Sequence, residues 1–316
     1  MDETLRRSRM TGCYVTIPTL FRDDADLSVD LDAIGRHVRF LIDGGLRTGT
    51  GVLLAGGAAG DFSTMTFEER CAVAERVVGE AAGRIPIAMG GQTTSTKELE
   101  RLVKAAERIG ADFVQVSPPF YFSPTEGDFL EYVKAAAGAG DVGLIIYNTF
   151  WNGYGVSEGM VEKLAEIPNV ASLKWSVPDA ASMMFESVVS RFASRFAIID
   201  NQNHYVVSHM LGARAIEIHP ANYWPQWGVA LWELLEAHRY EEAQAEMVKV
   251  LMPFMLLWGR MEGYTAGDGY LDKLCLELVG QASSRCRPPT RDVRERYRED
   301  CRQMLLAAGV PNVVPA

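Results

Sequence analysis

Lys174 ends the apolar run Asn169-Val170-Ala171-Ser172-Leu173, where a parallel strand would leave a barrel, and a lysine in that position can act as a nucleophile. Tyr147 ends a second run, Val142-Gly143-Leu144-Ile145-Ile146. The interval between the two matches one strand–helix–strand unit, so two reactive side chains would close neighbouring strands. Taken alone, Lys174 reads first as a lysine that snorkels from a strand end or pairs with a carboxylate. The order of elements around it decides between these readings.

Short β-type runs alternate with amphipathic helical stretches over about two-thirds of the chain. Strands are expected at 13–19, 51–55, 85–89, 113–116, 143–147, 171–174, 196–199 and 215–218. Between them, Leu31, Ile34, Val38 and Leu41 recur at helical spacing, Thr66-x-x-Glu69 forms a capping box, and Ser95-x-x-Glu98 opens a further helix. Further helices are expected near 128–138, 157–167, 180–191 and 203–211. Eight such units predict an α/β fold, a (β/α)8 TIM barrel whose active site gathers at the C-terminal ends of the strands. After Trp227 the strand patterns stop. The chain then divides into a polar N-terminal tail (1–11), the barrel (12–237) and a small C-terminal helical domain (238–316).

Composition narrows the function classes. With 316 residues, 48% of them hydrophobic, the chain can bury a large core, and a net charge of −10 disfavours nucleic acid or an anionic membrane as partner. No apolar stretch approaches a membrane span, and the polar start lacks a signal-peptide pattern, so a soluble cytoplasmic protein is expected. Five cysteines without a Cys-x-x-Cys pair read as free thiols. The histidines form no metal-ligand motif and Met89-Gly90-Gly91-Gln92 fits no phosphate fingerprint, so neither metal nor cofactor is expected.

Several segments in register resemble the Schiff-base aldolases related to dihydrodipicolinate synthase and N-acetylneuraminate lyase. They are Val15-Thr16-Ile17-Pro18-Thr19, the glycine-rich turn Gly57-Ala58-Ala59-Gly60-Asp61, Arg84-Ile85-Pro86-Ile87, Val116-Ser117-Pro118-Pro119-Phe120-Tyr121, Ile146-Tyr147-Asn148 and Leu173-Lys174. The resemblance implies that Lys174, its amine kept unprotonated by an apolar surrounding, forms a Schiff base with pyruvate or another 2-oxo acid. Tyr147 would relay protons, and the enzyme would make or cleave a carbon–carbon bond to an aldehyde. The carboxylate would rest on the turn at Ala58, Ala59 and Gly60, and Asn148 would be a further substrate-binding residue. A homo-oligomer, a tetramer by resemblance, is implied as well.

Departures from the family pattern bear on substrate. Ala58 and Ala59 stand where hydroxyl residues are common, Asp61 replaces a glutamate, and Phe120 falls on the second relay tyrosine with Tyr121 beside it. The loop after Asn148 has no arginine, which argues against a true dihydrodipicolinate synthase. Trp151 and Tyr154, Trp175, and Tyr223 with Trp224 follow strand ends and offer aromatic surface for a bulky or aromatic aldehyde, or else pack under loops. Glu217 in strand eight would face the barrel mouth and steady an iminium, or pair with Arg214 or Lys174, and His219 is a further candidate acid or base. A dehydratase or hydratase-aldolase uses the same iminium. A catalytically silent keto-acid-binding or regulatory homologue is the alternative of a different class.

Overall fold

The structure is a computed structural model that describes residues 3–315. Eight parallel strands close a barrel in sequence order: β1 (Gly12–Thr16), β2 (Gly51–Ala55), β3 (Ile87–Gly90), β4 (Phe113–Val116), β5 (Gly143–Tyr147), β6 (Val170–Trp175), β7 (Ala197–Asp200) and β8 (Ala215–Glu217). Their residues are buried throughout, as expected of strands covered on both faces. Two boundaries depart from the sequence reading beside prolines. β1 stops at Thr16, two residues before Pro18, and β3 begins at Ile87, after Pro86, where a backbone N–H becomes available again.

Helices on the outside are started by their own side chains. The Thr66 hydroxyl accepts from Glu69 N–H while the Glu69 carboxylate accepts from Thr66 N–H, giving the capping box before Phe67–Ala81. Ser95 caps Thr96–Ile109, and Thr125 with Asp128 caps Glu126–Ala139. Residues 3–8, expected as part of a polar tail, instead form a helix, Glu3–Ser8, docked under the barrel; Met1 and Asp2 lie outside the described residues. Buried Arg6 reaches Asp141 at 2.7 Å, Arg9 reaches Asp112 at 2.8 Å, and Met10 joins the interior cluster of Tyr14, Val52 and Phe113.

One irregularity in the sheet sets the site. β6 pairs Val170 with Leu144 and Ser172 with Ile145, so Ala171 is an extra residue in the ladder. Val170 packs in the outer core with the helices and Ala171 in the interior cluster, whereas Leu173 and Trp175 again face the outer core. This bulge shifts the alternation by one residue, so Lys174 enters the barrel mouth directly opposite Tyr147.

The C-terminal segment folds back over that mouth. Tyr240–Glu246 and Met252–Glu262 are joined by a π-helical turn, Met247–Leu251, just before Pro253, whose missing N–H leaves the regular helical ladder incomplete. Tyr270–Leu278 and Arg294–Ala308 follow. Lys273, almost fully buried, pairs with Asp61 Oδ2 at 2.8 Å and so ties the glycine-rich turn to this segment. Gly269, with φ +77°, lies so close to the turn that a Cβ would stand 2.3 Å from the Ala59 carbonyl oxygen. We expect Lys273→Met to destabilise the fold by about 3–5 kcal/mol, because it strands the buried Asp61 carboxylate. Urea denaturation checks this, and an unchanged midpoint would contradict it.

Candidate active site

The strand ends surround a cavity of about 650 Å³ whose lining includes Thr16, Ala58, Ala59, Tyr147, Lys174, Glu217 and His219. Lys174 Nζ lies 4.4 Å from the centre of the Tyr147 ring and 3.6 Å from Glu217 Oε1. The same Glu217 oxygen accepts from the Thr16 hydroxyl at 3.4 Å, and Glu217 Oε2 stands 3.4 Å from His219 Nε2. The other nitrogen of His219 meets Asp272 Oδ2 at 2.9 Å. Asn222, buried behind the site, donates to Asp272 at 3.3 Å and to the Thr16 carbonyl at 3.0 Å. A continuous polar chain therefore runs from the amine of β6 through β8 to the C-terminal helices.

Burial and charge act on these groups in opposite directions. Burial lowers the pKa of Lys174 below the usual amine range, although Glu217 and Asp268 draw it upward. Burial and then Glu217 push the Tyr147 phenol up, so it remains protonated, while the Asn201 amide donates to its oxygen at 3.4 Å and leaves the phenolic proton free to be given. Burial opposes ionisation of Glu217, but His219 and Lys174 outweigh it and hold the carboxyl below its usual range. For His219 burial favours the neutral ring, yet Glu217 and Asp272 prevail and raise it to about 10, making it an imidazolium at neutral pH. That cation stacks on Phe254 and meets the Trp258 ring at 4.7 Å.

The turn supplies a different contact. Gly60 N–H and Asp61 N–H close back on Gly57 and Ala58 carbonyls, whereas among the described residues the Ala58 and Ala59 N–H groups donate to no backbone carbonyl. Both residues line the cavity, so two unclaimed donors are available to an anion. His219, Asp268 and Asp272 also bring donor atoms within 4.8 Å of one another. Since His219 is a protonated ring already bonded to Asp272, this set is an ion-pair network before it is a metal site.

Of the residues singled out in the sequence, Lys174, Tyr147, Ala58, Ala59, Trp151, Glu217 and His219 meet at the cavity. The structure places the others elsewhere. Gly60 is buried in the turn, its carbonyl accepting from the Thr19 hydroxyl at 2.7 Å. Asn148 staples the following loop, donating to the Ser176 carbonyl and accepting from Val156 N–H. Trp175 points into the outer core because β6 alternates, and Tyr121 is 87% exposed at φ 96° while Phe120 lines the cavity. Tyr154 packs on Phe129, Tyr223 on Phe254 and Trp224 on Trp227. Sequence reasoning missed Asn201, which follows β7 and was detectable by the strand-end rule. It also missed Gln92, a buried cavity residue with neither amide atom bonded, and Asp268 and Trp258, which lie on C-terminal segments without any motif.

A parallel eight-stranded barrel with a buried lysine at its C-terminal mouth and a tyrosine on the adjoining strand defines a Schiff-base-forming lyase. The chain belongs to the dihydrodipicolinate synthetase family, whose model matches residues 10–308. It is 24% identical over 296 residues to the 4-hydroxy-tetrahydrodipicolinate synthase of Methanospirillum hungatei, covering 93% of this chain and 98% of that one. Identity to the enzyme of the same name from Laribacter hongkongensis is 33% over 205 residues, 64% of this chain and 67% of that one. Among solved structures, the chloride-inhibited dihydrodipicolinate synthase from Acinetobacter baumannii complexed with pyruvate superposes with a TM-score of 0.83 at 26% identity, covering 95% of this chain and 99% of that one. The Oceanobacillus iheyensis dihydrodipicolinate synthase shares the fold at TM-score 0.84 and 22% identity, over 98% and 99% of the two chains.

The charged state of His219 has a consequence for stability. Its folded pKa of about 10 lies above the ordinary value, so its contribution is fully present below about pH 6.5 and is lost as pH rises through about 10. Stability measured by denaturation should therefore fall across this interval, and His219→Gln should flatten that part of the profile. An identical slope in the variant would contradict the assignment.

Proposed function

We propose that the protein is a class I lyase that joins Lys174 to a 2-oxo acid, pyruvate in the simplest case, and makes or cleaves a carbon–carbon bond to an aldehyde. The observation that carries this reading is the buried Lys174 amine beside Tyr147, in a cavity whose turn offers the free N–H groups of Ala58 and Ala59. The unprotonated amine attacks the ketone carbon, and Tyr147 gives its proton to the departing oxygen as water leaves. The iminium that results faces the ionised Glu217, and the carboxylate of the 2-oxo acid rests on the two amides.

The acceptor side favours an uncharged, aromatic or bulky aldehyde. Phe62, Phe120, Trp151 and Trp258 line the cavity, with Gln92, Asn152, Asn201 and Asn203 as polar partners. Glu217, Asp268 and Glu262 line it as well, and its cationic groups are Lys174 and His219, both paired with Glu217. An anionic acceptor would meet carboxylates there without an arginine to bind it. We place the enzyme in the cytoplasm, in keeping with its free buried cysteines, and as a homo-oligomer, a tetramer by family likeness, whose association could cover the exposed Tyr121 and Phe122. Among the described residues no helix is long and apolar enough to cross a membrane.

Borohydride treatment with pyruvate should leave a reduced adduct on Lys174, absent in Lys174→Ala and formed about 100-fold or more slowly in Tyr147→Phe. Failure of every 2-oxo acid tested to label Lys174 would sink the Schiff-base reading and favour a silent homologue. With the adduct in hand, condensation assays should rank benzaldehyde above aldehydes bearing a carboxylate or phosphate. The reverse ranking would remove the acceptor assignment.

A further inference from the structure

Asp268 is a carboxyl group at the cavity that the chemistry above leaves without a task. It belongs to the loop before Tyr270–Leu278, and the backbone of that loop lies close to the turn: a Cβ on Gly269 would stand 2.3 Å from the Ala59 carbonyl oxygen, and Lys273 on the following helix is paired with Asp61. One carboxylate oxygen accepts from Gly269 N–H at 2.8 Å, while the other has no hydrogen-bond partner among the described residues. Asp268 is partly buried, and it lines the same cavity as Lys174 and Tyr147. Its donor oxygen is within 4.8 Å of both His219 and Asp272.

A 2-oxo acid joined to Lys174 has three substituents at its former carbonyl carbon. Nitrogen is fixed by Lys174, and the carboxylate would be held at Ala58 and Ala59, so C3 is directed to the remaining side of the cavity. Asp268 is held on the wall next to the carboxylate turn, opposite in role to Tyr147, which serves the departing oxygen. The geometry points to Asp268 as the base that converts the iminium to the enamine and returns the proton in the reverse direction. This assignment rests on the Schiff-base reading of Lys174. In the step, an Asp268 carboxylate oxygen takes a proton from C3 and the C3–H pair becomes the C2=C3 bond. The C2=N π pair then moves onto nitrogen and neutralises the iminium.

The groups facing Asp268 accord with that role. Burial raises its carboxyl, His219 lowers it, and Asp272 and Glu217 raise it again, leaving it at about 6. Glu262 lines the cavity nearby, Lys174 and Tyr147 also line the cavity, and the Cys286 thiol donates to the Asp268 backbone carbonyl. Glu217 is held ionised by two cations and is the weaker base, while Tyr147, a protonated phenol at rest, serves the departing oxygen.

Exchange of the pyruvate methyl protons in D2O, followed by proton NMR, reads this step without any acceptor aldehyde. The wild-type enzyme should exchange them at a rate that rises as a group near pH 6 deprotonates. Asp268→Asn should slow exchange about 100-fold while borohydride still traps pyruvate on Lys174 to a similar extent, which also reports an intact site. Exchange in the variant within about threefold of wild type would overturn the proposal, as would a wild-type adduct without exchange. If wild-type protein gives no adduct, the Schiff base itself fails and Asp268 loses its substrate.

Discussion

The structure depends on an amine kept in a place that does not favour its charge. Lys174 is 4% exposed, and burial lowers its pKa while Glu217 at 3.6 Å pulls the other way. An unopposed carboxylate at that distance would favour the ammonium form, which cannot serve as the proposed nucleophile. His219 limits that effect, since its imidazolium takes up much of the field of Glu217 and is balanced in turn by Asp272. The arrangement leaves a carboxylate near enough to meet the iminium proposed for Lys174, with its charge partly answered beforehand.

Two architectural features put these groups in place. The extra residue in β6 brings Lys174 to the inner face opposite Tyr147, and the C-terminal segment seals the turn that would hold the carboxylate. Asp61, with φ 55°, is a structural anchor in this arrangement because its carboxylate is occupied by Lys273. The C-terminal helical segment is therefore part of the cavity wall, contributing Trp258, Glu262 and Asp268.

Much of this was legible in the sequence, and what was not has physical reasons. All eight strands and the capped helices follow from period and end signals, because strands covered on both faces read as apolar runs and N-caps need particular side chains. Lys174, Tyr147 and Glu217 were found since strand ends define the mouth. The facing of Trp175 was missed because adjacent residues at a strand end point to opposite sides, and Asn148 because a buried amide that bonds backbone resembles a ligand-binding one. Asp268 and Gln92 carry no motif; tertiary packing alone brings them to the cavity.

The most direct test of the central claim is a crystal structure of the enzyme soaked with pyruvate. The expected result is continuous density from Lys174 Nζ to C2 of the ligand, with its carboxylate on the N–H groups of Ala58 and Ala59 and Glu217 facing the nitrogen. Pyruvate bound away from Lys174, or an amine left free beside an occupied turn, would contradict it.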